Sequence, residues 1–175
     1  AVALEERMGA VVARRFRDWC RSLPLVAVAE CGVIVTHAAP AAQVSRMSEL
    51  EVPYELEPVP RTIEEMVRVP ILGQLLWARG CATPIARNFI RVLLGHPSGF
   101  VVYGHDVVRE GFEIAGDGEQ LCLSTSFGLY DAHKRYLDVS LDRRWSSAKE
   151  LIEGVHLRSL YPQAEPRPVW GRDFF

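Results

Sequence analysis

An α/β unit dominated by antiparallel or mixed strands is the fold class this sequence predicts, on three observations. Short β-branched runs, LVAVA at 25–29, VIVT at 33–36 and FVVY at 100–103, are too brief for helices and are bounded by turn residues. Before and between them lie stretches whose apolar residues recur at helical spacing. The 175 residues, 49% hydrophobic and 24% charged, suffice for one globular domain with a sizeable core and argue against disorder over most of the length. In such an architecture function collects at strand ends.

The elements follow in order. Met8, Val12, Phe16 and Trp19 stand at helical spacing among arginines and acids, which predicts an amphipathic helix that packs one face and ends near Ser22 to Pro24. Residues 25–29 and 33–36, separated by Glu30-Cys31-Gly32, predict a hairpin with His37 at the end of its second strand. The proline-spaced EVPYELEPVPRT predicts short helices and loops on the surface. Thr62 with Glu65 has the capping-box pattern of a short helix limited by Pro70, and ILGQLLW forms a further short apolar helix or turn. Thr83 and Pro84 read as N-cap and first turn of a helix over IARNFIRVLLG, with Ile85, Phe89, Val92 and Leu93 on one face and Gly95 as its stop. Strands are expected at FVVY, GFEIA and LCLST, with Gly116-Asp117-Gly118 in a turn between the last two. YLDVSL at 136–141 alternates like a half-buried strand, and SSAKELIEG reads as a short capped helix. The expected division is a domain over residues 1–161 and an irregular tail over 162–175.

Bulk properties exclude several classes. A net charge of -2 supplies no basic field for a nucleic-acid partner. The four cysteines form no C-x-x-C pair, so neither a zinc knuckle nor a dense disulfide framework is signalled and reduced thiols are expected. The opening residues contain no signal peptide's apolar block, and no run approaches the length of a membrane span. A cytoplasmic chain without membrane contact is expected, and its start at AVALEE without an initiator methionine reads as a fragment.

His37 follows VIVT and His105 follows VVYG, so both stand where a sheet projects side chains into a loop-lined site. Imidazole ligates zinc, iron and manganese-type ions, yet position alone favours two hydrogen-bonded structural histidines, and two histidines cannot close a metal site. Arg79, in LLWARG, could grip phosphate oxygens bidentately. Arg61, Arg87, Arg91 and Arg109 compete with it, each otherwise a solvated surface charge. Asp106 could orient an imidazole or a water, although a loop aspartate capping a backbone amide is the simpler reading. His96, His133 and His156 read as surface or helix-flanking residues. Cys31 and Cys81 lack a partner that would make a thiolate nucleophile, and Ser124, Thr125 and Ser126 lack the G-x-S-x-G elbow of a serine hydrolase.

Taken in order, FRDWCRSLPLVAVAECGVIVTHAAPA, LLWARG, VVYGHDVVREGFEIAG, LCLSTSFG and YLDVSL resemble the second half of phosphoprotein phosphatases of the serine/threonine type, within the calcineurin-like metallophosphoesterases. The resemblance runs from about Phe16 to Leu141 and rests on joint order and spacing. It implies the carboxyl-terminal half of an αββα sandwich with mixed and antiparallel strands and flanking helices. It implies that His37 and His105 bind the second metal of a two-metal centre, and that Arg79, two positions after Trp77, holds substrate phosphate. Trp77 is then a packing anchor, and Tyr130 approaches the site from the loop after LCLSTSFG. The implied activity is hydrolysis of phosphomonoesters by a metal-bound hydroxide, with two divalent ions, manganese foremost and iron or zinc as the other candidates. The substrate would be a phosphorylated protein or a small phosphoester.

The G-D-x-H, G-D-x-x-D-R-G and G-N-H-E motifs that supply the family's other ligands do not occur, and Asn88, inside a predicted helix, cannot stand in for their asparagine. The chain is therefore expected to need a preceding segment or a second chain for activity, and to expose an apolar face that pairs with it. Two other readings stay open: a non-catalytic phosphate- or protein-binding module on a phosphatase scaffold, and a single-metal hydrolase that adds Asp106 to the two histidines.

Overall fold

In the computed structural model, which describes residues 2–51, 60, 62–123 and 130–165, the amphipathic opening is two helices, α1 (Val2–Met8) and α2 (Ala10–Ser22). Gly9 separates them at φ 81, a conformation that interrupts the helix. The expected packing of its apolar stripe is not observed. Ala13 is fully buried, while Val11 (68% exposed), Val12, Phe16 and Trp19 (56%) face outward. The periodicity reports amphipathicity correctly, but the main sheet is covered by other elements.

That sheet begins with the predicted hairpin, β1 (Val26–Ala29) antiparallel to β2 (Val33–Thr36). After a long crossover the chain returns as β3 (Phe100–Tyr103), parallel to β2. β4 (Phe112–Ala115) and β5 (Gln120–Leu123) form a second antiparallel pair, with β5 parallel to β3, giving the order β1-β2-β3-β5-β4. The described residues thus form a mixed sheet, and the α/β class holds.

The crossover carries α3 (Ile63–Val67), α4 (Leu72–Trp77) and α5 (Thr83–Leu94). Thr62 caps α3 by accepting the Glu65 amide at 3.1 Å. α5 starts one residue earlier than its cap pattern predicts, with Ala82 as N-cap, and ends as predicted at Gly95 with φ 75. Its buried stripe is Ala86, Phe89, Ile90 and Leu93, a rotation from the predicted face that leaves Ile85 and Val92 half-buried. With Leu75 of α4, this stripe packs on Ile34 and Val101, one face of the sheet.

On the opposite face Val33, Phe100, Val102 and Leu121 pack against Trp145, Ala148, Leu151 and Leu157. This layer contains a small antiparallel sheet, β6 (Arg135–Leu137) with β7 (Leu157–Ser159). The predicted strand at 136–141 stops at Leu137. Asp138 still donates its amide to the His156 carbonyl, but the Ser140 carbonyl accepts from Trp145 Nε1 at 3.0 Å and the chain turns inward. The predicted helix in SSAKELIEG is a single 3-10 turn, Ala148–Glu150, with the full Ser147/Glu150 capping box.

Both faces of the central strands are therefore covered, with Phe100, Val101 and Leu121 fully buried. This corrects the expectation of a bare apolar sheet face. Exposed apolar side chains include Val11, Val12, Phe16 and Trp19 of α2 and Val28 and Val35 at the β1–β2 edge, with others spread along the chain. Among the described residues no helix is long and apolar enough to cross a membrane. Residues 52–59 of the proline-spaced segment, Arg61, the Ser124-Thr125-Ser126 run and residues 166–175 of the tail lie outside the described residues.

One turn fastens the layers together. Gly32, at φ 103, lies so close to the Trp145 backbone that a Cβ there would collide with the Trp145 carbonyl oxygen. Trp145 donates its amide to the Cys31 carbonyl at 2.7 Å, and Phe100 donates to the Gly32 carbonyl at 2.9 Å. The hairpin turn, β3 and the second layer share this junction.

Candidate metal centre

The parallel register of β2 with β3 sets Thr36 beside Tyr103, so the residues that follow leave the sheet together at its carboxyl end. Loops at the carboxyl ends of parallel strands are where open α/β sheets place ligands. His37 is the first residue past β2, and the Gly104 amide donates to its carbonyl at 3.1 Å. One residue on, His105 takes the left-handed conformation at φ 65, unusual for a side chain larger than asparagine. The two imidazoles meet with His37 Nε2 2.9 Å from His105 Nδ1. Their centroids are 4.8 Å apart.

The α4 end is tied to the same place through its backbone. Ala38 donates to the Leu75 carbonyl at 3.0 Å and Ala39 to the Ala78 carbonyl at 2.9 Å, bringing Trp77 and Arg79 beside the histidines. Trp77 stands edge-to-face with His105, ring centroids 5.3 Å apart and planes at 86°. Arg79 donates from a terminal guanidinium nitrogen to Asp106 Oδ1 at 3.3 Å while remaining 69% exposed. The same carboxylate oxygen accepts the Val107 amide at 2.9 Å, the backbone-capping role expected for a loop aspartate.

Electrostatics distinguish the two histidines' surroundings. Burial, then the positive fields of His37 and Arg79, hold the His105 imidazolium below the ordinary histidine range, with Asp106 opposing them. The native state thus resists a proton that the unfolded chain accepts near pH ~6.5. This contribution to stability is complete above that pH and is lost as pH falls from there through the lowered native pKa. Thermal midpoints measured against pH are expected to drop more steeply on the acid side for the native sequence than for His105→Gln. Equal slopes would remove the assignment.

Comparison with known protein families finds no matching family model, and comparison with curated proteins finds no significant match.

The other nominated residues are placed elsewhere or occupied. Arg87 pairs with Asp117 and Glu119, each at 2.6 Å, and is occupied by both carboxylates, while Arg91 donates to Asn88 Oδ1 at 2.7 Å on α5. Arg109 is exposed. Asn88 lies within α5 as predicted and donates to the Val44 carbonyl. His156 accepts the Ile152 amide at 3.0 Å and stacks edge-on against Trp145, a structural role. Tyr130 lies beside His133, centroids 6.3 Å apart. Cys31 is a core residue, and Cys20 is exposed. Burial pushes the Cys81 and Cys122 thiols up to about 11, which opposes a thiolate role.

His37 and His105 fit as a pair of nitrogen donors converging on one cation. They do not complete a site, because among the described residues no group of three or more His, Cys, Asp or Glu could hold a metal ion. In the single-metal alternative Asp106 would have to ligate while its Oδ1 oxygen accepts from Arg79 and a backbone amide. Two features escaped the sequence reading: the Trp77 contact with His105 and the Arg79–Asp106 pair. The spacing of LLWARG was their one available signal.

Proposed function

We propose that this chain forms the carboxyl-terminal part of a metal-dependent phosphoesterase of the serine/threonine phosphoprotein phosphatase type. In this reading His37 and His105 hold one divalent cation of a two-metal centre, and Arg79 binds the phosphoryl group. The observation that carries it is the 2.9 Å approach of two imidazole nitrogens from adjacent parallel strands, with an exposed arginine at the same sheet end. Manganese, iron or zinc bound there would supply Lewis acidity and an activated water at neutral pH.

The chain's own contributions are orientation and charge. His105 packs edge-to-face with Trp77, whereas His37 is exposed. Arg79 uses one donor on Asp106, and its exposed guanidinium is suited to phosphate oxygens as they gain charge. The remaining ligands belong to the aspartate-rich motifs absent from this sequence, and the reading assigns them to a preceding segment or a second chain. The substrate class is a phosphorylated protein or a small phosphomonoester.

The test has two arms. The chain alone, supplied with manganese and a chromogenic phosphate ester, is expected to show no turnover; turnover would overturn the need for further ligands. In a polypeptide that also carries the aspartate-rich motifs, Arg79→Ala is expected to lower kcat/KM about 10- to 100-fold, because charge-assisted hydrogen bonds contribute ~1.5–3 kcal/mol. An unchanged kcat/KM would remove Arg79 from the site. Phosphate binding by the chain that chelators leave untouched would favour the non-catalytic binding module instead.

A further inference from the structure

We infer that Trp77 is a positioning residue for His105, its indole face receiving the His105 Nε2–H and so fixing the tautomer that leaves Nδ1 bare toward His37. The inference rests on the metal-centre reading for its functional meaning, but its physical basis lies in the metal-free chain.

A neutral imidazole carries one N–H and one lone pair. His105 Nδ1 faces His37 Nε2 at 2.9 Å, a separation that accommodates one shared proton. The other nitrogen, His105 Nε2, is buried and has no hydrogen-bond partner among the described residues. Its two protonation states differ in energy. A buried bare lone pair would have no donor, and the negative face of a neighbouring ring would repel it. A buried N–H, by contrast, is attracted to that face. Trp77 provides a ring perpendicular to His105 at 86° with centroids 5.3 Å apart, a geometry compatible with such a contact.

The consequence is a division of labour. Metal-ligating histidines ordinarily donate their second N–H to a carboxylate, carbonyl or water, and here an aromatic face serves instead. His105 is then locked with Nδ1 as acceptor. In the metal-free chain His37 Nε2 donates its proton to that acceptor. For both nitrogens to face a cation, His37 alone must shift its proton to Nδ1, and its ring is exposed to solvent.

The experiment is long-range proton–nitrogen NMR on the metal-free chain with nitrogen-15 histidine, at a pH where His105 is neutral. The expected result is the Nε2–H tautomer with an Hε2 resonance upfield of ordinary imidazole N–H protons, because it lies over the indole ring. Trp77→Phe should preserve the tautomer. Trp77→Leu should let the two tautomers mix and, in a polypeptide that also carries the aspartate-rich motifs, weaken zinc binding about tenfold. An Nδ1–H tautomer, an unshifted Hε2, or a Trp77→Leu variant with unchanged tautomer would each overturn the inference. If Trp77→Leu does not fold, the native spectrum and Trp77→Phe still decide. Failure of a polypeptide that also carries the aspartate-rich motifs to bind zinc would sink the metal reading and leave the Trp77 contact standing, whereas an unshifted Hε2 in the native chain would overturn the Trp77 contact and leave the metal reading untouched.

Discussion

His105→Gly is expected to weaken zinc or manganese binding by a polypeptide that also carries the aspartate-rich motifs more than about 100-fold, while changing the folding free energy of the chain by no more than about 1 kcal/mol. The first half follows from the site: removing one of two converging nitrogens leaves His37 an ordinary exposed imidazole. Even a lost outer partner of a metal ligand weakens binding about 10–100-fold, so loss of the ligand itself should exceed that. The second half follows from the backbone. At φ 65 a histidine carries left-handed strain of about 1–2 kcal/mol that glycine does not. Relief of that strain offsets the lost contact with Trp77, about 0.5–1.5 kcal/mol for an edge-to-face pair. Calorimetric titration with zinc and a urea melt check the two halves. Native-like affinity in His105→Gly would end the metal assignment, and a large loss of stability would mean that the strained backbone is not held for the ring's sake.

Gly32→Ala is expected to destabilise the chain by about 2–5 kcal/mol, from left-handed strain of ~1–2 kcal/mol together with overpacking of ~1–3 kcal/mol. The added methyl would meet the Trp145 carbonyl oxygen, with the Gly99 Cα at 3.5 Å closing the other side. Trp145 cannot retreat freely, because its amide is bonded to Cys31 and its ring is buried to within 2% exposure. Gly9→Ala is the matched control: its φ is also positive, at 81, but nothing lies within 4 Å of the new Cβ, so strain alone remains. Urea midpoints for the two variants compare them directly. Equal losses would show that the Gly32–Trp145 junction contributes nothing beyond backbone conformation.

What the sequence revealed was largely local. The hairpin at 25–36, the strand at 100–103, the Thr62 cap and the Gly95 stop each follow from composition within a few residues, and the structure has them. The helix over residues 83–94 was recognisable, yet its buried stripe was turned because several apolar side chains compete and packing decides among them. Alternation in YLDVSL continued past the strand's actual end because Trp145, outside that window, takes the Ser140 carbonyl. Pairing of Leu157–Ser159 with β6 left no distinct local signal. The apolar stripe of α2 shows that period identifies a face without naming what lies against it.

For the candidate site, the positions of His37 and His105 after strands were readable, but their meeting depends on the parallel pairing of β2 with β3, across 68 positions of sequence. Arg79 was singled out through resemblance, and its partner Asp106 through its place beside His105. Their mutual contact is a product of the α4 docking bonds.

The crossover from β2 to β3 has an architectural consequence. His37 lies at its departing foot, His105 just beyond its returning foot, and Arg79 is held there by the amide bonds of Ala38 and Ala39. Among the described residues between Ala42 and Pro70, none makes a backbone hydrogen bond to His37, Ala38, Ala39 or Gly104. Loop-closure entropy rises only logarithmically, about 0.6 kcal/mol for each doubling of loop length. Insertions into that span should therefore be thermodynamically cheap, so a lineage could lengthen the crossover without redesigning the sheet that aims the histidines.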